Sequence, residues 1–129
     1  MRFRSQFEAY LAAIFTNKGC KYAYEPERIP FIRPETKTTY CPDFLIEDMG
    51  FFIEAKGIFS ARDRKKHLLV REQHPKLDIR FVFQNANLPI YRGSKTTCGQ
   101  WAEKFGFLWA HKTPPIEWFK KHEQKQRQH

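Results

Sequence analysis

The stretch that decides the fold is YCPDFLIEDMGFFIEAKG, residues 40–57. It contains two β-rich runs separated by a turn at residues 48–50, which predicts an antiparallel hairpin with a glycine in the turn. The runs also carry Asp43, Glu54 and Lys56 at positions where hydrophobic strands hold apolar side chains. Because residues i and i+2 of a strand share a face, Glu54 and Lys56 should emerge side by side. The partner strand should bring Asp43 next to them.

Charged groups placed this close together are costly to bury unless they are paired or hold a cation. Mg²⁺ prefers oxygen ligands and is commonly held by one or two carboxylates. A lysine beside such an ion is placed to assist a water molecule or to stabilise charge on a phosphate. A lone E-x-K would indicate only a weak surface pair. Asp43, Glu54 and Lys56 together, within apolar surroundings in a basic chain, predict a metal site.

The composition indicates one folded domain that binds a polyanion. The chain has 129 residues, 41% of them hydrophobic, and a formal charge of +9. These values exclude a disordered chain and favour nucleic acid as the partner. No apolar run approaches the ~18 residues of a spanning helix, so we expect no membrane partner and a cytoplasmic location. Three distant cysteines without C-x-x-C spacing predict neither a zinc ribbon nor a disulfide framework. We expect one domain over residues 1–121 and a polar, frayed tail over 122–129.

Helices and strands are expected on both sides of the hairpin. Helices are predicted at residues 5–18, between Ser60 and Pro75, near 97–105 and after Pro115. LDIRFVFQN, residues 77–85, predicts a strand parallel to the second hairpin strand, and residues 107–109 predict an edge strand. The proline-rich segment at 22–40 should be extended, either as a bridge between two packed bodies or as a surface loop. The fold class is therefore α/β.

Glu8 has two interpretations. The tetrad Ser5-Gln6-Phe7-Glu8 fits a capping box, in which the Glu8 carboxylate returns to the backbone at the start of the helix. Glu8 also borders the apolar stripe of that helix, so its carboxylate could face the strand carboxylates and act as a ligand. The residues alone leave both open.

A basic run follows the second hairpin strand. Phosphate contact explains its placement, although a solvated helix face is the alternative for any single member. The predicted DNA-binding residues of this run are Arg62, Arg64, Lys65, Lys66 and Arg71. His67 and His74 are seven positions apart without a partner ligand, which is weak for zinc and favours surface histidines. The three tryptophans are expected in the C-terminal part of the core.

Several motifs resemble a known family. Pro42-Asp43 followed by Glu54-Ala55-Lys56 matches the signature of the PD-(D/E)xK nuclease superfamily. Five stretches are similar to the bacteriophage T7 endonuclease I family of Holliday junction resolvases, and the likeness covers most of residues 4–121. They are RSQFE (4–8), TTYCPDFL (38–45), FIEAKG (52–57), DRKKHLLVREQHPKLDIRFVF (63–83) and YRGS (91–94).

The resemblance implies a restriction-endonuclease-like mixed β-sheet flanked by helices, in a segment-exchanged homodimer joined by an extended bridge near residues 30–38. It implies cleavage of four-way junctions and other branched DNA, leaving 5′-phosphate and 3′-hydroxyl ends. The implied cofactor is Mg²⁺, replaceable by Mn²⁺, with two ions per active site and no small-molecule cofactor. A phage-encoded enzyme of this kind would act in the host bacterial cytoplasm.

The resemblance also assigns roles to residues. Asp43, Glu54 and Lys56 fall on catalytic positions, and Glu8 falls on the helix carboxylate of the family. The implied metal ligands are Glu8, Asp43, Glu54 and the backbone carbonyl of Ala55. In an exchanged dimer, Glu8 of one chain would complete the site of the other. Within the N-terminal motif, DNA contact is expected for Arg4 and Ser5.

Two rival functions remain. A sequence-specific PD-(D/E)xK endonuclease acting on linear duplex would share the catalytic motif. A non-catalytic DNA-binding module would share the charge and the basic helix, but it would have no use for three converging charged groups. Cleavage of a junction beside a linear duplex of the same arms distinguishes these functions.

Overall fold

The computed structural model describes residues 2–33 and 36–120. The described helices are α1 (Gln6–Asn17), α2 (Ala61–Gln73), α3 (Cys98–Lys104) and a 3₁₀-helix (Ile116–Phe119). The described strands are β1 (Tyr22–Tyr24), β2 (Ile29–Arg33), β3 (Thr36–Tyr40), β4 (Phe44–Ile46), β5 (Phe51–Lys56), β6 (Ile79–Phe83) and β7 (Trp109–His111). Within these ranges, no helix has both the length and the apolar character that a bilayer crossing requires. The predicted tail at 122–129 lies outside the described residues.

The main sheet of the described residues is mixed, as predicted, with the strand order β1-β4-β5-β6-β7. The β4–β5 hairpin is antiparallel and aligns Phe44 with Ile53, and Gly50 in its turn has a φ of 75°. β5 and β6 are parallel, with α2 as the crossover between them. This pairing confirms the predicted strand–helix–strand unit.

Both faces of the sheet are covered, because side chains alternate along each strand. On one face, Phe51 and Ile53 of β5 pack in a cluster with Leu11 and Phe15 of α1. On the opposite face, Phe52 packs with residues of the β2–β3 hairpin and of α2. A third, aromatic cluster joins β6 to α3 and includes Phe81, Phe83, Trp101 and Phe107. β5 therefore lies between packed layers in the middle of the sheet. Its last residues lie at the end of the sheet where the parallel strands β5 and β6 terminate.

The helix ends follow the local sequence signals. The Ser5 hydroxyl accepts a hydrogen bond from the Glu8 N–H (3.0 Å), and Ser60 accepts one from the Asp63 N–H (3.1 Å). Each serine satisfies a backbone donor that has no partner inside its helix. α2 ends at Gln73, two residues before Pro75, which could not continue the helix. The predicted bounds of both helices are confirmed.

The proline-rich segment differs from the prediction of one continuous extended stretch. Tyr22–Tyr24 forms β1 and pairs with β4, a strand that the sequence did not predict. Residues 29–40 fold back on themselves, so that β2 pairs antiparallel with β3 from Ile29↔Tyr40 to Arg33↔Thr36. Proline is tolerated in β2 because that strand lies at an edge. The predicted bridge near 30–38 coincides with this hairpin, and exchange between chains stays a prediction.

The last strand begins two residues later than predicted. Gly106 takes a φ of 77°, and the Phe107 N–H donates to the Ala102 carbonyl (2.9 Å), which closes the end of α3. Phe107 thereby enters the aromatic cluster, and the strand begins at Trp109. The predicted bounds of this strand, residues 107–109, were wrong by two residues, but β7 is an edge strand as expected. Trp101 is buried and Trp109 packs beside it, which confirms their predicted place in the core.

Candidate active site

The β4–β5 hairpin brings Asp43, Glu54 and Lys56 together. The Asp43 N–H donates to Glu54 Oε2 (3.0 Å), and Asp43 Oδ2 accepts from the Ala55 N–H (2.8 Å). Lys56 Nζ lies 3.4 Å from Glu54 Oε1. The exposed fractions are 6% for Asp43, 3% for Glu54 and 9% for Lys56. These are buried charged groups in contact, as the spacing of the strands predicted.

Glu8 reaches the same region from the first turn of α1. Its side chain is buried, and Oε1 accepts hydrogen bonds from the Arg4 N–H (2.9 Å) and the Tyr24 hydroxyl (2.7 Å). The capping box is therefore only half present. The Ser5 hydroxyl accepts from the Glu8 N–H, but the Glu8 carboxylate accepts from the Arg4 N–H instead of the Ser5 N–H. The hydrogen bond from the Tyr24 hydroxyl explains this departure from a full capping box, because β1 lies next to the start of α1 and draws the Glu8 carboxylate toward it.

Arg4 connects Glu8 to Asp43. Its backbone N–H holds Glu8, while its guanidinium Nη2 lies 3.3 Å from Asp43 Oδ1 and 2.9 Å from Glu25 Oε2. The guanidinium therefore pairs with two carboxylates, Asp43 and Glu25, while the backbone of the same residue holds a third, Glu8. Arg4, predicted as a DNA contact, reaches the acidic centre itself, and 68% of its side chain stays exposed.

The two strand carboxylates differ in charge state. Burial and the adjacent Glu54 raise the pKa of Asp43 to about 8, against the opposing hydrogen bond from the Ala55 N–H. Burial also favours a raised pKa at Glu54, but His67 and Lys56 outweigh it and lower the pKa to about 2. Near neutral pH the pair therefore carries Glu54 as the anion and retains a proton on Asp43. Two adjacent carboxyl groups behave in this way when the nearby positive charge is too small to keep both of them ionised.

His67 and Tyr40 lie behind Glu54, and neither was predicted to have a functional role. His67 is fully buried, which overturns its expected surface position, and Nε2 lies 3.5 Å from Glu54 Oε1. Within the described ranges, both ring nitrogens of His67 and the Tyr40 hydroxyl lack a hydrogen bond of good geometry. Burial lowers the pKa of His67, against the raising effect of Glu54, so the ring is neutral.

The burial of His67 could have been predicted from the period of the helix, which was not applied to this residue. His67 and Val70 are three positions apart and form the buried face of α2. A histidine on the same stripe as a core valine faces the sheet. His74, at the end of the helix, is half-buried, and its Nε2 hydrogen-bonds with the Pro30 carbonyl.

The basic residues of α2 are not equivalent. Arg62 and Lys65 are exposed. Arg64 instead donates from one nitrogen, Nη1, to the carbonyls of Phe59 (2.6 Å) and Ile90 (2.7 Å). These two bonds give Arg64 a structural position, and its DNA contact stays a prediction.

The other residues predicted to contact DNA also make contacts within the protein. Lys66 Nζ lies 3.7 Å from Asp63 Oδ1 and 5.3 Å from the centre of the Tyr40 ring. The Arg71 guanidinium lies 4.1 Å from the centre of the Phe107 ring. Ser5 serves as the cap of α1. DNA contact by these three residues is likewise a prediction.

The acidic centre fits a divalent cation in its donor chemistry. Glu8, Asp43 and Glu54 supply the oxygen ligands that Mg²⁺ prefers, and the raised pKa of Asp43 indicates unbalanced negative charge. Among the described residues, no three His, Cys, Asp or Glu side chains already surround one point. Arg4 and Lys56 supply the positive charge there instead. Metal ligation by the three carboxylates and the Ala55 carbonyl remains a prediction.

Comparisons with known proteins identify the family of the chain. A family model described as Phage endonuclease I matches residues 1–128. Endodeoxyribonuclease 1 of Enterobacteria phage T3 is 49% identical over 114 residues, covering 88% of this chain and 74% of the relative. Endonuclease I of Escherichia phage T7 is 46% identical over 118 residues, covering 92% of this chain and 78% of the relative.

Proposed function

This chain belongs to the phage endonuclease I family, and we propose that it is a metal-dependent, structure-selective endonuclease that resolves four-way Holliday junctions and other branched DNA. That it is a DNA endonuclease is supported directly by its relatives, which are nucleases by name. The observation that carries the proposal is the contact among buried Asp43, Glu54 and Lys56, with buried Glu8 linked to Asp43 through Arg4. A binding module has no need of such a costly arrangement.

We propose Mg²⁺ as the cofactor, with Mn²⁺ as a substitute and two ions per active site. When bound, such ions polarise a phosphate and make water a stronger nucleophile at neutral pH. Asp43, Glu54, Glu8 and the Ala55 carbonyl would hold them. A bound cation would also relieve the repulsion between the two strand carboxylates, so that Asp43 gives up its proton.

Lys56 is held in place for a role at the phosphate. Its Nζ is fixed between Glu54 Oε1 (3.4 Å) and Asp63 Oδ2 (3.7 Å). An ammonium group in this position can donate to a non-bridging phosphate oxygen as negative charge develops there. Attack by water breaks the bond between phosphorus and the 3′ oxygen, which leaves a 5′-phosphate and a 3′-hydroxyl end.

The charge of the chain supports a backbone-directed approach to DNA. The net charge is +9, and exposed Arg62 and Lys65 lie in the helix that follows the catalytic strand. Contacts of this kind supply affinity that does not depend on sequence and weaken as salt rises. Phosphate contacts of this kind favour an enzyme that recognises the shape of DNA over one that recognises a base sequence.

We also propose a homodimer joined through the segment near residues 30–38, acting in the cytoplasm of the bacterial host. β2 and β3 pair antiparallel over residues 29–40, and two opened hairpins could make the same pairings between chains. Exchange of identical elements is a low-cost route to a dimer. Two linked active sites could then cut two strands of one junction.

The test compares a four-way junction with a linear duplex of the same arms, each in Mg²⁺ and in chelator. The proposal predicts fast cleavage of the junction, slow cleavage of the duplex and no cleavage in chelator. Asp43→Ala should bind the junction without cutting it. Equal cleavage of both substrates would favour the sequence-specific alternative, and binding without any cleavage by the unaltered chain would favour the DNA-binding module. Light scattering after gel filtration measures the mass and tests the dimer.

A further inference from the structure

Two exposed apolar side chains lie beside the active site. Among the described residues, Ile58 (86%) and Tyr91 (62%) are the most exposed large hydrophobic side chains. Exposed apolar residues that occur singly are common and carry no meaning. These two belong to loops that Arg64 bridges, because a single nitrogen of Arg64 donates to the carbonyls of Phe59 (2.6 Å) and Ile90 (2.7 Å), their respective chain neighbours. We call this pair the Ile58–Tyr91 surface.

The Ile58–Tyr91 surface lies at the catalytic edge of the sheet. Ile58 is two residues beyond Lys56, where β5 ends. Tyr91 lies in the connection that follows β6, and parallel strands end at the same edge of a sheet. The Gln84 N–H donates to the Lys56 carbonyl (2.8 Å), which fixes the start of that connection against the end of β5.

Tyr91 is presented by a short, ordered turn. The Ser94 N–H donates to the Tyr91 carbonyl (3.0 Å), with Gly93 at a φ of 86°, and the Ile90 N–H donates to the Thr96 carbonyl (3.0 Å). A side chain held by such a turn loses little freedom on binding, which favours affinity.

The charges around the surface are mainly positive. Arg92 and Lys95 are exposed in the loop of Tyr91, and Arg62 is exposed in the first turn of α2, which follows the loop of Ile58. The nearby acid, Asp63, is already paired with Lys56 and Lys66. An apolar and aromatic surface bordered by cations suits a nucleic acid whose base faces are accessible. Two side chains are too few for a stable protein interface, which buries about 800 Å² on each partner.

We propose that the Ile58–Tyr91 surface stacks against bases that become unstacked at the branch point of DNA. This inference rests on the proposed function and deepens it. An intact duplex keeps its base faces covered by neighbouring pairs, whereas a branch point offers base faces to an aromatic ring or an apolar wedge. The surface therefore contributes to the preference for branched over linear DNA.

The experiment measures binding in chelator, where no cleavage is expected, with a four-way junction and a linear duplex that each carry 2-aminopurine at the same position. The test variants are Ile58→Ala and Tyr91→Ala. Tyr91→Phe keeps the ring, and Leu108→Ala removes another exposed apolar side chain (52%), which precedes β7 at the opposite end of the strands. All three positions are exposed, and thermal melting of the four variants verifies the fold.

Each test variant should weaken junction binding by at least about fivefold, as expected for loss of one stacking contact. Duplex binding should change by less than about twofold, and both controls should match the unaltered chain. The fluorescence change of 2-aminopurine in the junction should disappear in Tyr91→Ala. If the unaltered chain prefers junctions and the test variants bind them equally well, or lose duplex binding in parallel, this inference alone is wrong. If the unaltered chain shows no preference for junctions, the proposed function fails and this inference with it.

Discussion

The two long helices begin with the same local pattern and use it differently. α1 opens with Ser5 and carries Glu8 three residues later, and α2 opens with Ser60 and carries Asp63 three residues later. Both serines cap the N–H of the acid. Both acids also point toward the active site. Local sequence therefore describes the two helix starts alike.

The partners of the two acids are different. Asp63 lies 3.7 Å from both Lys56 Nζ and Lys66 Nζ, and its side chain is 29% exposed. Glu8 is 6% exposed and bonds to an N–H and a hydroxyl, and within the described residues it has no ion-pair partner. A buried carboxylate that lacks a paired cation is the one with capacity for a metal ion. The comparison therefore predicts that Asp63 positions Lys56 and that Glu8 takes part in the reaction.

The largest expected effect separates these two acids in catalysis. Glu8→Gln should slow junction cleavage by at least about 100-fold, because a metal ligand supports several kcal/mol of transition-state stabilisation. Asp63→Asn should slow it by less than about tenfold, since Lys56 keeps its contact with Glu54. Single-turnover cleavage at saturating Mg²⁺ measures both rates. Equal losses for the two variants would contradict the comparison.

The second effect is a pH dependence of opposite sign at two aspartates. Between about pH 4 and 8, native metal-free Asp43 retains a proton that the unfolded chain has lost, so stability falls as pH rises. Asp43→Asn should therefore be more stable than the unaltered chain at pH 8.5, by on the order of a few kcal/mol, and this difference should disappear at about pH 4. Urea denaturation in chelator measures this difference.

Asp63 supplies the matched control for that measurement. Burial favours a raised pKa at Asp63, but Lys56 and Lys66 outweigh it and lower the pKa. Its contribution to stability is present above the unfolded pKa and disappears as pH falls, and it is small because the group is partly exposed. Asp63→Asn should thus be slightly less stable than the unaltered chain at pH 8.5. A stabilised Asp63→Asn, or a destabilised Asp43→Asn at that pH, would contradict the assigned charges.

A third effect tests the part of α2 that reaches Glu54. His67→Phe should weaken Mn²⁺ binding to the DNA-free protein by about tenfold, as expected when a group that orients a ligating carboxylate is lost. His74→Phe is the control, because His74 contacts the Pro30 carbonyl. Isothermal titration calorimetry measures the affinities. Unchanged Mn²⁺ affinity in a folded His67→Phe would show that His67 only fills space.

The smallest effect concerns the serine caps. Ser5→Ala and Ser60→Ala should each cost about 1 kcal/mol of stability, because each leaves one backbone donor without its partner. Only Ser5→Ala should also slow cleavage noticeably, since it loosens the turn that carries Glu8. Chemical denaturation and cleavage rates of the two variants provide the measurement. Equal cleavage rates of the two variants would show that the Ser5 cap does not determine the position of Glu8.

Much of the fold was predictable because its signals are local. The helix caps, the turn at Gly50 and the alternation along β5 are set by neighbouring residues, and each was confirmed. The pairing of β2 with β3 was missed, because proline marks an edge strand but does not identify its partner. The start of β7 was missed because Phe107 is drawn into a cluster built from distant segments.

The active site divides in the same way. The sequence by itself determined that Asp43, Glu54 and Lys56 meet, because the hairpin register and the two-residue period of a strand leave little choice. Only the tertiary structure decided that the Glu8 carboxylate is buried against the Tyr24 hydroxyl of β1 and that His67 is buried behind Glu54. The reason is physical: a hairpin is specified over a few residues, whereas the surroundings of a helix face depend on which layer packs against it.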